Sequence, residues 1–260
     1  MENEPIVVGK TDAAFTIKLN RPDKRNAITL KMMDVIAAAA LEGEAERSAS
    51  TIVITGGPDC FSAGGDLQEA LAVKTEADAK CYLRGFQTLN STLENLKKPV
   101  VAAIEGFCLT GGLEVALACD IRIAGKGATF GITSARIGTL AGAGGTQRLP
   151  RTVGRMHALA LLFSADPIDT DEALRIGLIN RVAPRGEALR AACDLATLYA
   201  QRAPLSLAFA KRAVHQGLQM DLKSAIEFEK SLVTEIYGTA DKNEGIQAFL
   251  EKRPPRFKGE

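Results

Sequence analysis

Ile104-Glu-Gly-Phe-Cys-Leu-Thr-Gly-Gly-Leu-Glu-Val-Ala-Leu-Ala-Cys-Asp120 is the stretch whose reading decides the fold. Just before it, the continuous apolar run Val100 to Ile104 predicts a buried strand. A loop closes on Gly111-Gly112, and Leu113 to Cys119 predicts an apolar helix. Glu114 is the only charge between Glu105 and Asp120, in that helix's first turn. The first N–H groups of a helix lack internal acceptors, and the helix dipole adds positive potential there. Glycines leave this backbone uncovered, so a ligand oxygen can reach the amides. An anion-binding N–H beside a buried carboxylate is a layout suited to enolate chemistry.

Upstream, Ile6 to Val8 and Ala14 to Leu19 read as strands joined by a turn near Gly9 to Asp12. Thr29 is a plausible N-cap for a helix over Leu30 to Glu44. Thr51 to Thr55 reads as a second buried strand, and Gly56 to Asp66 as a second glycine-rich turn. Tyr82, Phe86, Leu89, Leu93 and Leu96 recur at helical spacing, predicting a helix over Glu76 to Leu96. Strand, glycine turn and helix thus recur at 51–70 and 100–118.

Downstream, Asp120 to Ala124 and Thr129 to Gly131 read as short strands. From Thr146 the pattern is almost wholly helical, over Arg155 to Phe163, Thr170 to Ile176, Gly186 to Arg202, Leu205 to Gln216, Lys223 to Tyr237 and Asn243 to Lys252. Pro150, Pro167, Pro184 and Pro204 mark the expected breaks.

The 260 residues suffice for one large domain, or for a domain with a helical appendage. A net charge of +1 and 5% aromatic residues argue against a nucleic-acid partner. Two histidines and five scattered cysteines leave little material for a metal centre or a Ser-His or Cys-His pair. Met1-Glu-Asn-Glu4 does not read as a signal peptide, and no apolar run approaches a membrane span. A soluble protein of a reducing compartment, the cytoplasm, is the expectation.

The glycine turns admit several readings. A P-loop needs G-x-x-x-x-G-K-[ST], which is missing, and no G-x-G-x-x-G opens a helix after the first strand. A nucleophile elbow fails because Cys60 stands where glycine must precede Ser62. For any single turn, tight packing is explanation enough. Together, two such turns can aim two free N–H groups at one carbonyl oxygen, each worth about 3 kcal/mol to a developing oxyanion.

At these residues the sequence resembles the crotonase superfamily, the enoyl-CoA hydratase/isomerase family. Matching pieces are Leu19-Asn-Arg-Pro22 with Asn26-Ala27, Phe61-Ser-Ala-Gly-Gly-Asp-Leu67 and Gly111 to Asp120. Phe130-Gly131, Gly142-Ala-Gly-Gly-Thr-Gln-Arg-Leu-Pro150 and Ala248-Phe-Leu-Glu-Lys-Arg253 follow in the family's order across nearly the whole chain. The resemblance implies an α/β fold: a ββα spiral core over residues 1–195, then a helical region at 196–260 for trimerisation and coenzyme A contact. It implies an acyl-CoA substrate, no metal or other cofactor, and a homotrimer or a hexamer made of two trimers.

By motif, Gly65 and Gly111 are the expected oxyanion donors and Glu114 the first acid/base carboxylate. Arg25, Ala63, Gly64, Asp66, Leu67 and Leu140 are expected along the substrate and coenzyme A path. Phe249 and Lys252 match positions that contact the adenosine and phosphate end, although Phe249 also suits core packing and Lys252 a solvated face. Glu114 has a plainer reading too, as a helix-start carboxylate worth about 0.3–1 kcal/mol. The family's second glutamate should follow Phe130-Gly131, but Ser134 stands in its place. Serine cannot be a general base unaided, although it can position a water. Either Glu114 serves as both base and acid, or the reaction is a sibling such as isomerisation, dehydration or thioester hydrolysis. Binding of an acyl-CoA without turnover is the remaining alternative. Ala141, where many relatives carry proline, implies a reshaped acyl pocket.

Overall fold

A computed structural model describes residues 4–11 and 13–260; Met1 to Asn3, at the start of the stretch read as no signal peptide, and Asp12 of the first turn lie outside it. The chain opens with an antiparallel pair, β1 (Ile6–Thr11) and β2 (Ala14–Leu19). Helix α1 (Leu30–Ala45) starts where predicted, because Thr29 accepts a hydrogen bond from the Met32 N–H.

A repeating unit then takes over: a strand, a sharp corner, a three-residue strand and a helix. Its first turn is β3 (Thr51–Thr55), β4 (Cys60–Ser62), then α2 (Leu67–Ala72) and α3 (Glu76–Asn95). The second is β5 (Val100–Ile104), β6 (Phe107–Leu109) and α4 (Gly111–Ala118). The third is β7 (Ile121–Gly125), β8 (Thr129–Gly131), a 3-10 turn over Ser134–Ile137 and α5 (Gly145–Ser164). The recurrence seen twice in the sequence therefore occurs three times. Each unit adds one strand to a six-stranded sheet, ordered β1-β2-β3-β5-β7 and completed by β9 (Arg181–Ala183), and one to a three-stranded sheet, β4-β6-β8. The strand-to-strand ladders that follow the hairpin are parallel.

Strands β3 and β5 are buried at every residue, which is why they read as unbroken apolar runs. Ile52, Ile54, Val100, Ala102 and Ile104 join Phe61 and Phe130 in the main core. Val53, Val101 and Ala103 point the other way, onto Ala188, Ala191, Ala192 and Ala196 of α7 (Ala188–Tyr199). Burying a phenylalanine such as Phe61 contributes about 1.5–3 kcal/mol. Two glycines make the corners possible. Gly106 has φ +55, and a Cβ there would strike the Asp59 carbonyl; one on Gly56 would overlap the Cys60 and Phe61 backbone.

The structure corrects several boundaries. Helix α4 begins at Gly111 rather than Leu113, because Thr110 (φ 45, ψ −116) makes the corner and the glycines form the first helical turn. There they serve close packing: a Cβ on Gly112 would lie 2.7 Å from Ser62 Cβ. Helix α5 begins at Gly145 instead of Arg155 and contains Pro150; its break is at Gly154, with φ 78 and ψ 160. The helix expected over Gly186 to Arg202 is the shorter α7. Strands β4, β6 and β9 were not foreseen, since three residues carry too little period, whereas the helix expected after the 56–66 turn is α2.

After α6 (Thr170–Arg175), β9 and α7, the chain ends in α8 (Pro204–Gly217), α9 (Leu222–Tyr237) and α10 (Ala240–Leu250). Asp120 docks α8: its carboxylate accepts from Val100 N at 2.7 Å, Lys211 Nζ at 2.8 Å and His215 Nε2 at 3.0 Å. Burial works against that charge, yet His215 and Lys211 keep the Asp120 carboxyl below the usual range. Among the described residues no helix is long and apolar enough to cross a membrane.

Candidate active site

Glu114, at the start of α4, is 2% exposed. It does not cap its own helix. Oε1 instead accepts from Ala143 N at 2.8 Å and Gly145 N at 2.7 Å, at the N-terminal end of α5. The plainer helix-dipole reading therefore applies, but to another helix, and it occupies only one oxygen. Oε2 has no hydrogen-bond partner among the described residues. Burial pushes the Glu114 carboxyl up, with the Gly145 and Ala143 N–H bonds and Arg148 pulling the other way. A carboxylate held by one oxygen, with its basicity raised, suits proton transfer.

The loop holding Oε1 is itself clamped. Asn90 Nδ2 donates to Ala143 O at 2.8 Å, and Arg148 Nη1 donates to the same oxygen at 3.1 Å. Arg148 is fixed in turn by a two-pronged pair with Glu94, at 2.6 and 2.7 Å. None of these three residues was singled out from the sequence. A signal existed, because Asn90 lies beside Leu89 and one turn after Phe86 on the apolar face of α3, where a polar side chain needs a partner.

Gly65 and Gly111 come together. A Cβ on Gly111 would lie 3.0 Å from Gly65 N and 2.9 Å from Phe86 Cζ, so both glycines border one small space. Neither N–H has an acceptor among the described residues; Gly111 opens α4, where no intrahelical acceptor exists. Thr110 holds the preceding peptide in an uncommon left-handed conformation. Thr110 N donates to Gly131 O at 2.7 Å, and Thr110 Oγ1 accepts from Thr133 N at 3.2 Å and shares a 2.9 Å bond with Thr133 Oγ1. The strained corner beside Gly111 is thus tied to the residue before Ser134. Ser134 is buried, its carbonyl accepts from Thr139 N, and its hydroxyl has no partner among the described residues.

The expected binding residues are placed unevenly. Ala63 and Gly64 lead into Gly65, and Ala63 N donates to Arg25 O, which puts Arg25 at the same rim with its side chain exposed. The Asp66 carboxylate is committed to the fold, capping α2 through Gln68 N and pairing with Arg21 at 2.9 Å. Burial opposes that charge, but Arg21 and the amides hold Asp66 below its ordinary value. Leu67 is 62% and Leu140 73% exposed, surface leucines open to a ligand. Phe249 is 82% exposed, which overturns core packing; Lys252 is exposed as well. Ala141 is buried beside Gly145 and Glu114.

Other nucleophiles are poorly placed. Cys119 is buried and its thiol is pushed up to about 12 by desolvation. Ser62 Oγ donates to Asn26 O and accepts from Gly64 N, a structural role. Among the described residues no His, Cys, Asp and Glu group is spaced to hold a metal.

Known proteins share this arrangement of elements. Short-chain-enoyl-CoA hydratase of Clostridium acetobutylicum is 38% identical over 257 residues, 97% of each chain. Methylglutaconyl-CoA hydratase of Mus musculus is 36% identical over all of this chain and 81% of its own length. The crystal structure of an enoyl-CoA hydratase from Bacillus anthracis superposes with a TM-score of 0.93 at 35% identity, covering 99% of this chain and all of the other. The family model described as enoyl-CoA hydratase/isomerase matches residues 9–260, and the chain belongs to that family.

Proposed function

We propose that the protein adds water reversibly to a 2-enoyl-CoA, with Glu114 serving as both base and acid. The observation that carries this is the free Oε2 of a buried, raised-pKa carboxylate in the same fold as two unpaired N–H groups. Gly65 and Gly111 donate to the thioester oxygen. Glu114 Oε2 takes a proton from water as the water oxygen bonds to C3. The alkene electrons move onto the thioester oxygen, and the resulting enolate is held by the two N–H groups. Glu114 then returns a proton to C2, so water is added and no other reactant is consumed. Ser134, joined through Thr133 to the Thr110 corner, positions the water without competing for its proton.

The coenzyme A path in this reading runs along Arg25 and Ala63 to Leu67, with Leu140 by the acyl group and Phe249 and Lys252 at the adenosine end. Residues 1–195 form the binding core and 196–260 the oligomerisation region. Exposed Val214 on α8, Leu218 just after it, and Leu222, Ile226 and Tyr237 on α9 support self-association, as a trimer or a pair of trimers. No further cofactor enters the reaction. The five unpaired cysteines fit a reducing cytoplasm.

Ser134→Glu is expected to raise hydratase turnover about tenfold or more if the missing second carboxylate limits the rate. An enoyl-CoA assay with unchanged turnover would count against that limit. A second reading, double-bond isomerisation, is favoured by the same serine, because isomerisation needs one acid/base. Product mass separates the two, since an isomer gains no water.

The pH profile gives an independent check. As base in the free enzyme, Glu114 must be ionised, and burial raises its pKa above the ordinary 4.5. Activity measured as kcat/KM should therefore fall on acidification with a midpoint above 4.5. A midpoint at or below 4.5 would place the limiting group elsewhere.

A further inference from the structure

A third group borders the space shared by Gly65 and Gly111. Tyr82, on α3, places Oη where a Cβ on Gly65 would overlap it. Since a Cβ lies ~1.5 Å from its Cα, the hydroxyl is in van der Waals contact with the Gly65 Cα. Phe86, one helical turn later, approaches Gly111 from the same helix. The Tyr82 and Phe86 rings meet edge to face, with centroids 5.9 Å apart and planes at 75°, which fixes the phenol's direction. Tyr82 is half-buried, and its hydroxyl has no hydrogen-bond partner among the described residues. A half-buried phenol normally finds one.

We propose that Tyr82 is a further catalytic residue, whose hydroxyl donates a third hydrogen bond to the thioester oxygen held by Gly65 and Gly111. The inference rests on the hydratase reading above. No proton is transferred: the phenol keeps it, and the bond strengthens as the oxygen gains charge in the enolate. The surroundings keep the phenol protonated. Burial raises its pKa, and Glu69, Asp66 and Glu114 raise it further, so Tyr82 is a donor across the neutral range and not a base. The roles divide cleanly: the backbone N–H pair fixes the oxygen, Glu114 handles the proton, and Tyr82 responds to the charge.

The test uses a β-aryl 2-enoyl-CoA, whose conjugated thioester absorbs at longer wavelength when its carbonyl is polarised. Wild-type protein, Tyr82→Phe and Tyr82→3-fluorotyrosine are compared by the absorption shift of the bound thioester and by kcat and KM for hydration. Tyr82→Phe keeps the ring contact with Phe86. It is expected to shrink the shift and lower kcat by about 10- to 100-fold with KM little changed, somewhat less than loss of a buried amide donor. The fluorinated tyrosine, a stronger donor, is expected to enlarge the shift at neutral pH. Equal shifts in all three proteins would overturn the role of Tyr82 while leaving hydration by the wild type intact. A wild type that shifts the absorption but releases no hydrated product would instead overturn the hydratase reading, with the role of Tyr82 still read from the three shifts.

Discussion

Glu114→Gln is expected to lower kcat for a 2-enoyl-CoA by about 10³-fold, within the 10²–10⁴ range of general acid–base catalysis. The amide keeps the size and the Oε1 acceptor, so the Ala143 and Gly145 N–H bonds survive. What disappears is the basic Oε2. If Glu114 carries out both proton transfers, no second carboxylate is left to sustain a residual rate. Steady-state kinetics with KM measured separately reads this directly, and turnover within a few-fold of the wild type would remove Glu114 from the mechanism.

The same substitution should stabilise the fold. A carboxyl whose folded pKa is raised by burial contributes its stability below the unfolded pKa and loses it as pH rises through the folded value. At neutral pH the wild type therefore bears the cost of a buried charge that the amide avoids. The melting temperature of Glu114→Gln should exceed that of the wild type at pH 7 and converge with it in acid. A variant that is less active and less stable at pH 7 would point to a purely structural glutamate.

Gly111→Ala carries the second large effect. Alanine is welcome in the first turn of a helix, and the φ of Gly111 is not left-handed, so the backbone tolerates it. The new methyl, however, would stand 3.0 Å from Gly65 N and 2.9 Å from Phe86 Cζ, in the space where a thioester oxygen must sit. Loss of about 10²–10³-fold in kcat/KM is expected, comparable to removing an oxyanion donor. Circular dichroism should keep the native pattern, while melting should drop modestly, because the methyl displaces the buried Phe86 ring at a cost of about 1–3 kcal/mol. Full activity in this variant would show that the thioester oxygen binds elsewhere.

Much of the spiral was legible because its large-sheet strands are buried on both faces and read as continuous apolar runs, as in Val100 to Ile104. Thr29 and the α1 boundary were legible for a local reason, a side chain capping its own helix. The short strand Thr129–Gly131 was read, but Cys60–Ser62 and Phe107–Leu109 were not, since they exist only because parallel neighbours pair with them. Glycines misled in one respect. They suggested a turn at Gly111-Gly112, but Thr110 turns the chain and the glycines admit Ser62 and Phe86. In the proposed site, the motifs pointed to Glu114, Gly65 and Gly111, whereas the clamp of Asn90, Arg148 and Glu94 depends on contacts 53 and 54 residues apart. Tyr82 looked like one more apolar-face residue of α3, and only the packing against Gly65 sets it apart.

The most direct test of the single-carboxylate account is the product formed by the wild-type protein from crotonyl-CoA in deuterated water, read by mass and by NMR. The account predicts a 3-hydroxyacyl-CoA carrying one solvent deuterium at C2, formed at a rate that collapses in Glu114→Gln. An isomerised alkene, free coenzyme A from thioester hydrolysis, or a hydrated product that Glu114→Gln forms equally fast would contradict it.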